Sequence, residues 1–392
     1  METIHVSRDR LNAYRLARQC LEPRGTDLAT VLEAVGCLPS REAGFLALLV
    51  RYPGFRGEML NRLVFEEHAF VEMASLRDQS LVVPKALAPS VLRCLSPQRK
   101  ENAERMLAGA GLATAQRLAI RYGVVEVLEK GPLSAVGLSE RLSEAGGEVE
   151  GLAVRTGVLA AVLALLQVEG QVVRTNLSGD LLRGKVSYIL AEQLFGDEEV
   201  TGIDPVEAVR ALCAFYFRVH GPATPADFGW WSGAGAEEAA EAFRAIRHTL
   251  VRVETEGMPY GLYMPAAYRD ELAAFDHGVS RPVVLVPFRD AWLSSHEGRA
   301  GRFLAGEDFL RLVPGPALPS VLVAGFAAGR WSLDAANGSV RVAWFRRPPE
   351  ACEARAEEIG REIGAFAARE MADLAPLTVP ARDGPFTVYG PA

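Results

Sequence analysis

Arginine dominates the side chains of this chain that could grip a ligand. Of its 42 basic residues only Lys85, Lys100, Lys130 and Lys185 are lysines, which leaves 38 arginines. A guanidinium binds phosphate or guanine through paired hydrogen bonds, so such a set suits nucleic acid. A coding sequence rich in G and C produces the same bias with no function behind it. His220 can reach a phosphate, or can simply sit at a helix C-terminus facing the macrodipole. Trp230 and Trp231 can stack on a base, or can be core. The six histidines show no His-x-x-x-His pairing, and Cys20, Cys37, Cys94, Cys213 and Cys352 never fall in Cys-x-x-Cys spacing. These patterns indicate no metal centre and no disulfide framework, and point to reduced thiols. Nothing resembles a phosphate loop or a dinucleotide fingerprint, so no cofactor is expected.

The elements that must position these residues are organised around Phe217 to Trp231, FRVHGPATPADFGWW. Gly221 and Pro222 break the preceding helix, Thr224 can cap a new one, Pro225 suits its first turn, and Asp227 stands three residues after the cap. A second helix over Glu237 to Thr249 and strands at Leu250 to Thr255 and Tyr260 to Met264 follow. Helix, turn, helix, hairpin is the winged helix-turn-helix, whose second helix can enter a DNA groove. Gly131, Pro132 and Ser134 repeat the punctuation ninety residues upstream and precede a helix over Leu152 to Leu166 and a strand over Gln171 to Thr175. A less cleanly punctuated copy stands earlier: helices at Arg8 to Leu21, Leu28 to Val35 and Arg41 to Val50, then strand-type runs at Leu60 to Phe65 and Phe70 to Val83. Asn176 to Leu194 reads as a connector with a short helix.

After Gly278 come short β-type runs, PVVLVP, SVLVAGF and SVRVAWF, and then an amphipathic helix over Pro349 to Ala372 with Ile359, Ile363, Phe366 and Ala367 inward. The expected class is α+β: three tandem winged helix-turn-helix domains (1–95, 96–202, 203–278), then a β domain with a C-terminal helix (279–392). At 392 residues and 49% hydrophobic content the chain can bury several cores. The first residues lack the apolar run of a secretory signal and no stretch is long enough to span a bilayer, so a cytoplasmic, nucleoid-associated protein with no membrane partner is expected. The net charge of −7 leaves room for a local basic face.

HGPATPADFGWWSG, LVPFRDAWLSSHEGR at Leu285 to Arg299, VLVAGFAAGRWSL at Val321 to Leu333 and RLVFEEHAFVEMASLRDQSLVVP at Arg62 to Pro84 together resemble the AlkZ/YcaQ-like DNA glycosylases. The resemblance implies tandem winged helices, double-stranded DNA, intact or damaged, as partner, and excision of alkylated or crosslinked bases. The family signature, Gln-x-Gln or Gln-x-Asp, belongs at the start of the helix that here begins near Arg41. This sequence carries Cys37, Leu38, Pro39 and Ser40 instead. Base excision passes through a cationic sugar and calls for a carboxylate or amide to orient water. Ser40 and Glu42 are the nearest polar candidates, and Asp290 matches a family aspartate; Glu42 also reads as a surface charge suited to a helix start, and Asp290 as a turn cap. In RDQSLVV the family commonly has Arg-Gly-Thr-Leu-His, so Arg77 is retained and Val82 takes the histidine position. The expected DNA contacts are Arg15, Arg18, Gln19, Arg51, Arg77, Gln79, Arg289 and Arg299. A member that binds DNA or protein without glycosylase chemistry is the alternative, favoured by the missing glutamines.

Overall fold

A computed structural model gives the architecture. It describes residues 2–74, 80–94, 97–144, 157–195, 204–276, 278, 281–297, 306, 318–374 and 387–389. Arg77, Gln79 and Arg299 lie outside the described residues. The chain divides into two compact units: Met1–Leu60 with Cys213–Trp231 and Ala239–Ala392, and Asn61–Leu212 with Ser232–Glu238. Both mix helices and strands, so the α+β class holds.

Helices Pro225–Ser232 and Ala236–Ile246 lead into two antiparallel strands of the first unit, Leu250–Thr255 and Leu262–Pro265, paired from Leu250 opposite Pro265. The cap read from the sequence is present and reciprocal. Thr224 donates its backbone N–H and its hydroxyl to Asp227 at 2.7 Å each, and Asp227 donates its N–H back to Thr224 Oγ1 at 3.1 Å. One strand was not anticipated. Thr3–Val6 runs parallel to Leu250–Thr255, with Val6 opposite Thr255, and covers the outer edge of the hairpin. Four residues flanked by charge carry too little periodicity to announce a strand; their partner lies some 250 residues away. Val6, Leu11 and Tyr14 then pack on Val251, Val253, Leu262, Met264 and Leu272.

The same unit holds a five-stranded antiparallel meander of Val283–Val286, Ser320–Val323, Phe326–Asp334, Ser339–Trp344 and Thr387–Tyr389. Helix Glu350–Glu370 buries the expected Ile359, Ile363, Phe366 and Ala367. It approaches so closely that a Cβ on Gly364 would stand 2.0 Å from the Gly338 carbonyl oxygen. Phe366 contacts Phe55, and Phe55 meets Phe45 edge-on, centroids 5.8 Å apart in both pairs. The C-terminal helix thereby supports helix Glu42–Leu49, the first element after Cys37 to Arg41.

In the second unit, helices Pro97–Gly109, Thr114–Glu129, Ala135–Glu144 and Val158–Val168 enclose an aliphatic core including Ile120, Val124, Leu128, Leu163 and Leu166, beside a sheet ordered Leu133–Ser134, Val186–Leu190, Val172–Asn176. Two expectations need correction. Asn176 to Leu194 is not merely a connector, because Val186–Leu190 is the central strand, pairing on both sides. Leu60 to Phe65 is not a strand but part of helix Gly57–Phe65. Its buried Leu60 and Val64 are four apart, a helical period that outweighs strand-compatible side chains. Phe70–Ala74 and Ser80–Pro84 do form an antiparallel hairpin. Among the described residues no helix is long and apolar enough to cross a membrane.

Candidate functional site

The first unit holds four of the expected residues, Arg15, Gln19, Arg51 and Asp290, in its interior. Arg51 and Asp290 are both 0% exposed and form a bidentate pair, Nη1 to Oδ2 at 2.6 Å and Nη2 to Oδ1 at 2.8 Å. Arg51 also donates from Nε to the Gln19 carbonyl at 2.9 Å and from Nη1 to the Ala47 carbonyl at 3.0 Å. Asp290 Oδ1 accepts from the Trp292 N–H at 2.9 Å, capping the turn of helix Ala291–Ser294. The cap reading of Asp290 is therefore present together with an ion pair. Two fully desolvated charges persist only when satisfied like this, and removing one partner costs about 3–5 kcal/mol.

A second polar group centres on His296. Its Nδ1 lies 3.3 Å from Arg15 Nη2 and 2.9 Å from Ser295 Oγ, and its Nε2 lies 3.4 Å from the Pro222 carbonyl oxygen. Arginine can only donate, so Nδ1 accepts and the proton sits on Nε2, facing the carbonyl. A neutral ring follows. Burial first, and then the charge of Arg15, hold His296 well below the usual histidine range. Burial likewise pushes His220 down to about 3, with Arg15 and Arg51 adding to the shift. His220 is buried against Tyr216 and Trp231, ring centroids 5.3 and 5.5 Å away. Trp231 serves this packing, and His220 does not reach the surface in this conformation. Arg15 is buried too, its guanidinium 4.5 Å from the Trp292 ring centroid, and desolvation lowers it to about 10. Asp227 is linked to the same layer, accepting from the Glu297 N–H at 2.7 Å.

The remaining expected contacts are spread out. Gln19 is buried and donates to the carbonyls of Ala34 at 2.7 Å and Val219 at 3.0 Å. Arg18 is partly exposed, lies 3.9 Å over the Tyr268 ring and donates to the Arg218 carbonyl at 3.3 Å. Arg289 is half-buried beside the Phe288 ring, with φ 57°. Of the expected DNA contacts that are described, Arg18 and Arg289 thus keep surface, whereas Arg15, Gln19 and Arg51 form scaffold in this conformation.

The segment from Cys37 to Glu42, where the resemblance leads one to expect the family signature, is packed differently. Cys37, Leu38 and Pro39 are buried, and burial pushes the Cys37 thiol up to about 12, which keeps it neutral and weakly nucleophilic. Ser40 and Glu42 are half-buried and flank Arg41, whose φ 63° and ψ −146° are a conformation that side chains rarely adopt. A Cβ on Gly44 would come 2.1 Å from the Pro39 carbonyl oxygen, so glycine permits the tight entry into helix Glu42–Leu49. The structure brings Arg51 and Asp290 together and pairs neither with Ser40 or Glu42. Tyr216, Trp292, Ser295 and His296 were not anticipated as a layer. The only local signal was Tyr216, the polar-tipped member of the aromatic run Phe215 to Phe217, whose hydroxyl donates to the Ser295 carbonyl at 2.7 Å.

Among the described residues no group of three or more His, Cys, Asp and Glu side chains could hold a metal ion. The model of the AlkZ-like DNA glycosylases matches residues 32–369, so the chain belongs to that family. Among solved structures, the Streptomyces sahachiroi DNA glycosylase AlkZ matches with a TM-score of 0.73 at 21% identity, over 93% of this chain and 97% of that one. No curated protein matches the sequence. The function the chain shares with its family is that of a DNA-repair glycosylase-like protein.

Proposed function

We propose that this chain recognises damaged double-stranded DNA and holds it without excising a base through the segment where the family signature stands. The observation that carries this reading is that Cys37, Leu38 and Pro39 are buried apolar or thiol side chains, offering neither the carboxylate nor the amide that base excision requires. We read the chain as three winged helices over 1–95, 96–202 and 203–278 followed by a β domain over 279–392. Helices Pro225–Ser232 and Ala236–Ile246 with their hairpin support the third, and Arg18, from the first, and Arg289, from the β domain, are candidate DNA contacts. A cytoplasmic, nucleoid-associated protein fits this reading.

One observation favours a second reading. Glu42 is a half-buried carboxylate immediately after the strained Arg41, where a water could be oriented. The two readings separate under single-turnover conditions with protein in excess over an alkylated or a crosslinked duplex, free base being measured by mass spectrometry and complex by gel shift. Binding that weakens steeply with salt, with no base released, is the expected result. Release abolished by Glu42→Gln would overturn it in favour of excision. Failure to bind either duplex would sink both.

A further inference from the structure

We propose that the trough between helices Pro97–Gly109 and Thr114–Glu129, in the second unit, is the surface on which a second copy of this chain docks. The trough has a volume of about 720 Å³ and is bordered by Glu101, Glu104, Arg105 and Ala108 on the first helix and by Thr114, Arg117, Leu118 and Arg121 on the second. Each set is spaced i, i+3, i+4, i+7, so each helix turns one face to the same hollow. Val162 and Leu165 of helix Val158–Val168 give it an apolar floor. Leu118 is 45% exposed beside that floor, and Tyr122, one turn further along the same helix face, is 70% exposed. Large apolar side chains left in water on one face gain by being covered.

The charges say what covers them. Arg121 is engaged within the chain, donating from Nη1 to Glu169 Oε1 at 3.0 Å. Glu104 has no ion pair among the described residues, and Arg117 donates from Nε to the uncharged Leu112 carbonyl at 3.1 Å and meets no carboxylate there. A carboxylate on one wall and a guanidinium on the other are thus left to pair with something outside. A two-fold axis along the trough sets each wall of one copy against the opposite wall of the other, so that Glu104 meets the partner's Arg117 and the same pair forms twice. Copies of a chain with net charge −7 repel one another, and they do so least where charge cancels locally. The trough is such a place: Glu101, Glu104 and Glu169 border it with Arg105, Arg117 and Arg121. A foreign partner would need both signs in the matching order, which a second copy carries already.

The size of the contact sets its strength. The two helices are 13 and 16 residues long, which makes them about 20 and 24 Å in length and about 10 Å wide each. Side by side they offer about 450 Å² per copy, or about 900 Å² in all, at the lower limit of specific interfaces. A reversible dimer with a dissociation constant in the micromolar range is therefore expected.

The test is analytical ultracentrifugation of the full chain, without DNA, at concentrations from about 1 to about 100 µM. A shift from monomer to dimer across that range is the expected result. Leu118→Glu puts a charge on the apolar strip and should weaken the dimer by at least about tenfold. Glu104→Arg and Arg117→Glu should each weaken it severalfold, since each sets like charges face to face at both symmetry-related positions. Combined in one chain, the two reversals should restore the affinity, because opposite charges then meet again across the axis. Circular dichroism confirms that each variant is folded, and the charge reversals keep the test open should Leu118→Glu not fold. A monomer at every concentration, a dimer unmoved by all three single substitutions, or a double variant no tighter than the single reversals would overturn the proposal. No DNA enters the experiment, so its failure is distinct from failure of the damaged-duplex reading.

Discussion

The layer around Arg51, Asp290 and His296 and the segment from Cys37 to Glu42 belong to the same unit and are built by opposite rules. In the layer, charged groups are taken out of water and Arg51, Asp290 and His296 are each given partners, while Arg15 Nη1, His220 Nε2 and Trp292 Nε1 stay buried without one. In the segment, the buried positions are apolar or a neutral thiol, and the polar side chains, Ser40 and Glu42, stay half in solvent. Desolvation makes the first region expensive to disturb and leaves the second tolerant at its polar positions. The stretch where the resemblance leads one to expect glutamines is packing, Cys37, Leu38 and Pro39 being buried, while Asp290 is locked to Arg51. Matching residue types therefore say less about chemistry than the partners those residues find.

The largest effect is expected at Asp290. Asp290→Asn keeps the shape but strands a guanidinium charge that has no water to turn to, and should cost about 3–5 kcal/mol in urea unfolding. Replacing Arg51 and Asp290 together with Met and Leu should recover most of that loss. A single substitution costing under about 1 kcal/mol would show that the pair is not what holds the layer.

The histidines should make the same layer sensitive to acid. A buried histidine that stays neutral in the fold takes up its proton only on unfolding, so its contribution to stability is complete above pH 6.5 and is lost as pH falls toward the folded value, about 3 for His220. Asp227, raised by burial, works in the opposite direction and offsets part of the loss. Unfolding followed between pH 7 and pH 4 should show stability falling by a few kcal/mol, and His220→Gln should flatten that slope. An unchanged slope would mean that His220 takes up its proton in the fold as readily as in the unfolded chain.

Thr224→Val should be milder, at about 1–2 kcal/mol, because it removes a helix cap and leaves Asp227 its bond from Glu297. This cap shows how legible the sequence was. Gly221, Pro222, Thr224 and Asp227 act within a few residues of one another, and their spacing states the turn, the helix start and the reciprocal bond. The helices Leu28–Val35 and Glu350–Glu370 were equally plain, since each has a periodic apolar face. What the sequence hid is pairing at a distance. Arg51 and Asp290 are 239 positions apart, and Arg15 and His296 are 281 apart, so nothing local separates a surface arginine from one that will be enclosed. Arg15 and Arg51 looked like phosphate ligands because guanidinium chemistry serves a carboxylate, an imidazole and a phosphate alike.

The smallest effects sharpen the comparison most, because they are expected in the segment where a catalytic pair would have stood. Glu42→Gln should move stability by less than about 0.5 kcal/mol and leave duplex binding unchanged, as a half-solvated carboxylate without a desolvated partner has little to lose. Cys37 should resist alkylation by iodoacetamide in the folded chain at pH 8, since attack needs a thiolate and access, and burial denies both. In denaturant the same thiol should react at an ordinary rate, with peptide mass spectrometry assigning the label. Fast native labelling of Cys37 would mean that the segment opens to solvent within the folded state. In that case Ser40 and Glu42 become accessible in the same motion, and the distinction between a packed remnant and a working site would have to be drawn from base release alone.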